Sequence, residues 1–148
     1  MLDEMRKFIR SRRNCVMATV DGDSPHCSLM SYLVEDDCRF IYVVSKINTK
    51  KYQSILKNPK VSLLIDDRAS IAGGGQIGLG EVKALTIHGE CFPLEDPGRA
   101  GSIKRLFSIR YPHLEGLLAE QDIAVLYIEV HDLRMMEGAL KANYVNMD

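Results

Sequence analysis

The stretch Val44-Ser45-Lys46-Ile47-Asn48-Thr49-Lys50-Lys51-Tyr52 decides how this chain is read. It leaves a β-branched, aromatic run that begins at Phe40 and enters a short helical pattern. Asn48 or Thr49 can cap that helix, and Asn58-Pro59 ends it, because the residue before a proline is pushed out of helical geometry. The helix entry therefore collects two hydroxyls, Ser45 and Thr49, three ammonium groups, Lys46, Lys50 and Lys51, and the N–H groups that a first turn leaves without intrahelical partners. A helix N-terminus favours anions, and lysines there sit at its positive end. A bound anion would offset that repulsion, so the segment reads as a phosphate-binding corner.

Working outward, Asp3 is a candidate cap for a helix whose Leu2, Met5, Phe8 and Ile9 share a face. The basic run Arg10 to Arg13 closes that helix, where cations suit the dipole. Cys15 to Val20 reads as a strand, and Asp21-Gly22-Asp23 as a turn. His26 to Val34 alternates, with His26, Ser28, Met30 and Tyr32 on one face and Cys27, Leu29, Ser31 and Leu33 on the other. Asp36-Asp37 turns the chain into the strand Arg39 to Ser45. The helix Thr49 to Lys57 should bury Tyr52, Ile55 and Leu56, and Val61 to Ile65 is a further strand.

Asp66 to Gly80 carries five glycines and reads as a long flexible loop. Its Gly73-x-Gly75-x-x-Gly78 match to a dinucleotide fingerprint lacks the helix that should follow, so it is set aside. Val82 to Pro93 is a strand in which Gly89 marks a bulge or a close backbone approach. Asp96-Pro97 opens a helix with Ile103, Leu106 and Phe107 inward, and a shorter one runs from Pro112 to Leu118. Ile123 to Val130 is a long apolar strand, and the tail from Met135 has weak periodicity. About six strands joined mostly by short turns, with helices between, predict a mainly β fold: one domain over residues 1–148 built as a six-stranded antiparallel barrel with peripheral helices. The runs 61–65 and 123–130 lack polar alternation, so both faces of those strands should be covered, one of them by a partner subunit.

With 148 residues and a net charge of −1, the composition excludes a strongly basic nucleic-acid binder. No apolar run approaches the ~20 residues of a membrane span, and the start lacks a secretory signal. Cys15, Cys27, Cys38 and Cys91 form no CxxC pair, and with the scattered His26, His88, His113 and His131 they offer no metal-ligand spacing. A reduced, cytoplasmic protein is expected.

The order of elements resembles the pyridoxamine 5′-phosphate oxidase-like proteins, the FMN-binding split barrels. The likeness rests on Ala18-Thr19-Val20, Pro25-His26-Cys27-Ser28, Phe40-Ile41-Tyr42, the Ser45–Tyr52 corner and Asn58-Pro59-Lys60-Val61-Ser62-Leu63-Leu64. It implies FMN as cofactor, a homodimer with the cofactor at the subunit interface, and flavin-dependent oxidoreductase chemistry on a small molecule. It implies that the strand holding His26, Cys27, Ser28, Leu29, Met30 and Ser31 runs along the flavin ring. Val44 and Ser45 would continue that wall, while Thr49, Lys50 and Lys51 would hold the phosphate. Position 50 is lysine where the family often has arginine, which replaces a bidentate contact with a point charge. The glutamine that touches the flavin in pyridoxamine oxidases falls on Ala84, which speaks against vitamin B6 oxidation. No side chain stands out as a catalytic acid or base. Leu85-Thr86-Ile87-x-Gly89 and Met136-Glu137-Gly138-Ala139 are also similar to the haem-utilisation branch of the same superfamily, which makes haem the alternative cofactor and His26, His88 and His131 candidate ligands. A flavin carrier or sensor without turnover is the remaining alternative.

Overall fold

The computed structural model describes residues 1–67, 82–138 and 140–148. Most of the glycine-rich stretch, its dinucleotide-like match and Ala139 lie outside the described residues. Among the described residues eight strands form one antiparallel sheet: β1 (Asn14–Asp21), β2 (Ser24–Ser31), β3 (Leu33–Val34), β4 (Phe40–Lys46), β5 (Lys60–Asp66), β6 (Lys83–Pro93), β7 (Ile123–Glu137) and β8 (Lys141–Asn146). Their order is β2-β1-β5-β6-β7-β4-β3, with β8 paired to the outer half of β7. The helices are α1 (Leu2–Ser11), α2 (Lys50–Lys57), α3 (Pro97–Arg110) and α4 (Glu115–Leu118), the last preceded by a 3-10 turn at Pro112–Leu114. The sheet curls into a split barrel.

Eight strands appear where about six were expected, for two physical reasons. The run His26 to Val34 changes partner at Tyr32: its N–H makes a last in-register bond to the Arg13 carbonyl at 3.2 Å, after which Leu33 and Val34 pair with β4. The tail forms β8, an edge strand with little buried surface, so its sequence carries almost no apolar period.

Inside the curl, Met5, Phe8 and Ile9 of α1 meet Met17, Ile41, Leu63, Ile87, Leu126 and Leu133. Each such side chain contributes roughly 1.5–3 kcal/mol by leaving water. A second core lies on the other side of β4 and β7, where Tyr42, Val44, Ile123 and Val125 pack beneath Ile103, Phe107 and Tyr111. The outer face at the start of β7 is thus covered by α3 of the same chain. Gly89 marks both a register shift and a close approach: a Cβ there would lie 2.3 Å from the Glu129 carbonyl oxygen.

Three helix details differ from the sequence reading. Met1, not Asp3, occupies the cap position of α1, and Asp3 instead approaches Arg6 at 3.8 Å. Leu56 and Leu106, expected inward, are each 52% exposed. In both helices the neighbouring turn positions, Ser54 and Ile55 or Ile103 and Phe107, take the buried face.

Candidate functional site

β4 delivers the chain to the corner. Along it Ile41 and Val43 face the barrel interior while Tyr42 and Val44 face α3, so the next residue, Ser45, points inward and is buried. The Ile47 N–H donates to the Asp122 carbonyl at 2.9 Å, which pins the turn against the start of β7. Thr49 then caps α2: its hydroxyl donates to the Lys46 carbonyl at 2.9 Å and accepts from the Tyr52 N–H at 3.3 Å. Ser45 Oγ lies 3.2 Å from Thr49 Oγ1 and 3.1 Å from the Lys46 carbonyl. Both hydroxyls of the predicted corner are brought together, and both are hydrogen-bonded within it.

The three lysines separate. Lys46 Nζ meets Glu120 at 2.7 Å, and Lys50 Nζ meets Asp21 at 3.6 Å. Lys51 is half-buried, and the partner its ammonium finds is the thioether of Met30 at 3.2 Å. A sulfur is a weak acceptor for a cation. Burial pulls the Lys51 pKa below the ordinary lysine value, because water is withdrawn from the ammonium, and no carboxylate pairs with it among the described residues. This contact joins α2 to β2, which are far apart in the sequence.

Among the described residues β2 is the terminal strand of the sheet, and the edge turned away from β1 has no strand partner there. Its inner face shows a burial gradient: Met30 is buried, Ser28 is half-buried and His26 is exposed. On the outer face Cys27 and Leu29 are exposed, and Ser31 donates to Asn14 Oδ1 at 3.3 Å. The Val44 side chain is buried in the α3 core, so this residue meets the corner through its backbone.

One residue missing from the sequence-derived site is Thr19. It pairs with His26 across β1 and β2, is 1% exposed, and its hydroxyl has no hydrogen-bond partner among the described residues. A buried unpaired hydroxyl is costly in a finished interior. Thr19 alternates with Cys15 and Met17, and a threonine in that apolar series was the available signal. An orphaned hydroxyl, a half-buried ammonium without a carboxylate, an unpaired strand edge and the N–H groups of the α2 first turn are complementary to a planar hydrogen-bonding ring that carries a phosphate.

The other histidines differ in kind. His88 Nδ1 lies 2.8 Å from Asp132 Oδ1, and the ring is 54% exposed. His131 is gripped at both nitrogens, by Asp148 at 2.7 Å and Glu90 at 3.0 Å. Burial pushes the Cys15 and Cys91 thiols up to about 12, which leaves Cys27 as the exposed cysteine. Among the described residues no group of three His, Cys, Asp or Glu side chains is placed to hold a metal ion, and no helix is long and apolar enough to cross a membrane.

Curled sheet, plugging helix and lysine-bearing corner define the class of split-barrel proteins. The chain belongs to the pyridoxamine 5′-phosphate oxidase family, whose sequence profile matches residues 1–137. Solved structures share the fold at low identity. A haem-binding protein from Mycobacterium smegmatis superposes with a TM-score of 0.80 at 14% identity, covering 98% of this chain, which spans only 57% of that protein. General Stress Protein 26 from Bacillus anthracis gives 0.74 at 19%, covering 99% and 98% of the two chains. An FAD-binding protein from Mesorhizobium loti gives 0.70 at 19%, covering 91% of each. A search of curated proteins by sequence finds no match.

Proposed function

We propose that this protein binds FMN at the corner between β2 and α2 and acts as a flavin-dependent oxidoreductase on a small molecule. The observation that carries the reading is Lys51, a half-buried ammonium whose described partner is a thioether. A phosphate there would supply the missing countercharge. The first-turn N–H groups of α2 would add hydrogen bonds, and the free edge of β2 would face the ring. The flavin supplies the redox chemistry, and the chain supplies orientation and electrostatics. No side chain is assigned a catalytic role.

The same reading includes a homodimer with the cofactor at its interface. Leu29, Val16 and Leu64 lie in one row across β2, β1 and β5, and Leu29 and Leu64 are 78% and 40% exposed. An apolar row on an open sheet face suits a second copy of the chain. Four unpaired cysteines favour a reducing compartment such as the cytoplasm.

The test is a pair of fluorescence titrations of the apoprotein, with FMN and with riboflavin. FMN should bind at least about 10-fold more tightly, the contribution of one charge-assisted phosphate contact. Equal affinities would remove the phosphate from the corner. Reduction of the bound flavin by NAD(P)H, followed by reoxidation by an acceptor, would separate an enzyme from a carrier.

One observation favours haem as a second reading. With Nδ1 held against the Asp132 carboxylate, His88 keeps Nε2 without a hydrogen-bond partner among the described residues. A histidine oriented by a carboxylate is the usual form of a metal-ligating histidine. His131 is engaged at both nitrogens. A Soret band that appears on haem addition and disappears in His88→Ala would favour this reading over FMN.

A further inference from the structure

The basic run that ends α1 gains a distant member. Arg110, in the last turn of α3, donates from Nη2 to the Arg12 carbonyl at 3.2 Å, and Arg13 Nη1 donates to the Arg110 carbonyl at 3.3 Å. Arg10, Arg12 and Arg110 thereby line one pocket of about 200 Å³, closed by Tyr32, Leu33 and Val34. Elsewhere Arg6, Arg39 and Arg99 each have a carboxylate partner. These three do not, among the described residues. Their hydrogen bonds go to carbonyls and hydroxyls: Arg10 to the Asp36 carbonyl, Arg12 to Ser11, and Arg110 to Tyr111 and the Arg12 carbonyl. Arg12 Nε is buried with no acceptor among the described residues. Three guanidinium groups facing one small pocket repel one another, and an anion among them would offset that repulsion and supply bidentate acceptors.

The pocket adjoins a cleft of about 350 Å³ with which it shares Leu33, Val34 and Arg110. The far wall of the cleft is Ile103, Leu106 and Ile109 of α3. Leu106 and Ile109 are 52% and 70% exposed. At the distal end Arg99 is neutralised by Glu35 at 3.0 Å and bonded to the Tyr42 hydroxyl at 2.6 Å, so the cleft itself is apolar and charge-balanced. An unpaired cationic pocket opening onto an apolar trough is complementary to one molecule with an acidic head and a hydrocarbon tail.

We propose that this groove between β3 and α3 binds a fatty acid, its carboxylate among Arg10, Arg12 and Arg110 and its chain along Leu106 and Ile109. The site lies apart from the β2–α2 corner and does not depend on the flavin reading. Calorimetric titration of the full chain with decanoate below its micellar concentration tests it, with neutral decyl glucoside as the control. Decanoate should bind, and decyl glucoside should bind at least about 10-fold more weakly. Arg12→Gln removes the charge and should weaken decanoate about 10-fold. Ile109→Asp changes an exposed residue, so the fold should survive, and it should weaken decanoate by a similar factor by placing a carboxylate in the trough. Absence of decanoate binding, equal binding of the glucoside, or wild-type affinity in Ile109→Asp would overturn the proposal. A change in oligomeric size in Ile109→Asp, with decanoate inert, would also overturn it and give the groove to a second copy of the chain.

Discussion

Val125 and Leu64 both sit in strands that read as mostly apolar runs, yet Val125 is 2% exposed and Leu64 is 40% exposed. The β4–β7 side of the sheet is finished by its own chain: α3 lays Ile103, Phe107 and Tyr111 over Val44 and Val125. The β2–β1–β5 side is left open. Its outer face carries the exposed Leu29 and Leu64, and its inner face the orphaned Thr19 hydroxyl and the poorly partnered Lys51. Similar sequence patterns thus end in opposite states, because a helix from later in the chain covers one end of the outer face and not the other. Where a protein leaves polar groups unpaired beside apolar surface, a ligand or a partner is the economical completion.

The largest effect should come from breaking the finished side. Phe107 is fully buried in the α3 core, and Phe107→Ala should cost about 3–5 kcal/mol of unfolding free energy. Denaturant melts would show this. If the loss were below about 1 kcal/mol, α3 would not be the cover it is taken for.

On the open side the loss should fall on binding and not on folding. Lys51→Ala should weaken FMN by roughly 10-fold to 100-fold, the range of one or two charge-assisted hydrogen bonds. Stability should stay level or rise slightly, since a half-buried ammonium is removed. Lys50→Ala should change FMN affinity much less, because Lys50 already faces Asp21. Riboflavin should be nearly indifferent to both. Equal sensitivity of FMN at positions 50 and 51 would contradict the contrast between a paired and an unpaired lysine.

Thr19→Val sharpens the comparison further. Replacing an unpaired buried hydroxyl with a methyl should stabilise the apoprotein by about 1 kcal/mol. If the hydroxyl serves the cofactor, the same change should weaken flavin binding. A loss of apoprotein stability would show instead that the hydroxyl is already satisfied in solution.

The smallest effect concerns His131. It lies between two carboxylates, which asks both ring nitrogens to donate and therefore favours the imidazolium. The hydrogen bond that His131 donates to Asp148 is the first cause raising its pKa above the usual histidine value, and the one it donates to Glu90 adds to it. A folded pKa above the unfolded one means the contribution is complete below about pH 6.5 and is lost as pH rises through the folded value. Wild type should therefore lose up to about 1 kcal/mol across that window, the size of a partly exposed ion pair. His131→Gln should be flat there, and thermal melts at several pH values would show the difference.

The strands, the α2 cap at Thr49 and the α3 cap at Asp96 were legible because they are local: alternation, a hydroxyl or carboxylate before a helix, and a proline after it act over a few residues. Gly89 was legible as a special position, although its reason, the Glu129 carbonyl where a side chain would stand, belongs to the neighbouring strand. The lysine cluster was legible as charge, but its division was not. Asp21 and Glu120, which neutralise Lys50 and Lys46, arrive from β1 and from the turn before β7, and Met30, which meets Lys51, arrives from β2. Arg110 joins the α1 arginines across 98 residues of sequence, and no local period announces such a meeting. By itself the sequence determined most of the strands and helices, the general run of apolar residues and where charge gathers, since those follow from short-range sterics and side-chain chemistry; the edge strand β8 and the inward turn of each helix were not among them. Tertiary structure alone decided which apolar faces are covered and which cations keep a partner, because burial and pairing are set by the residues that folding brings alongside.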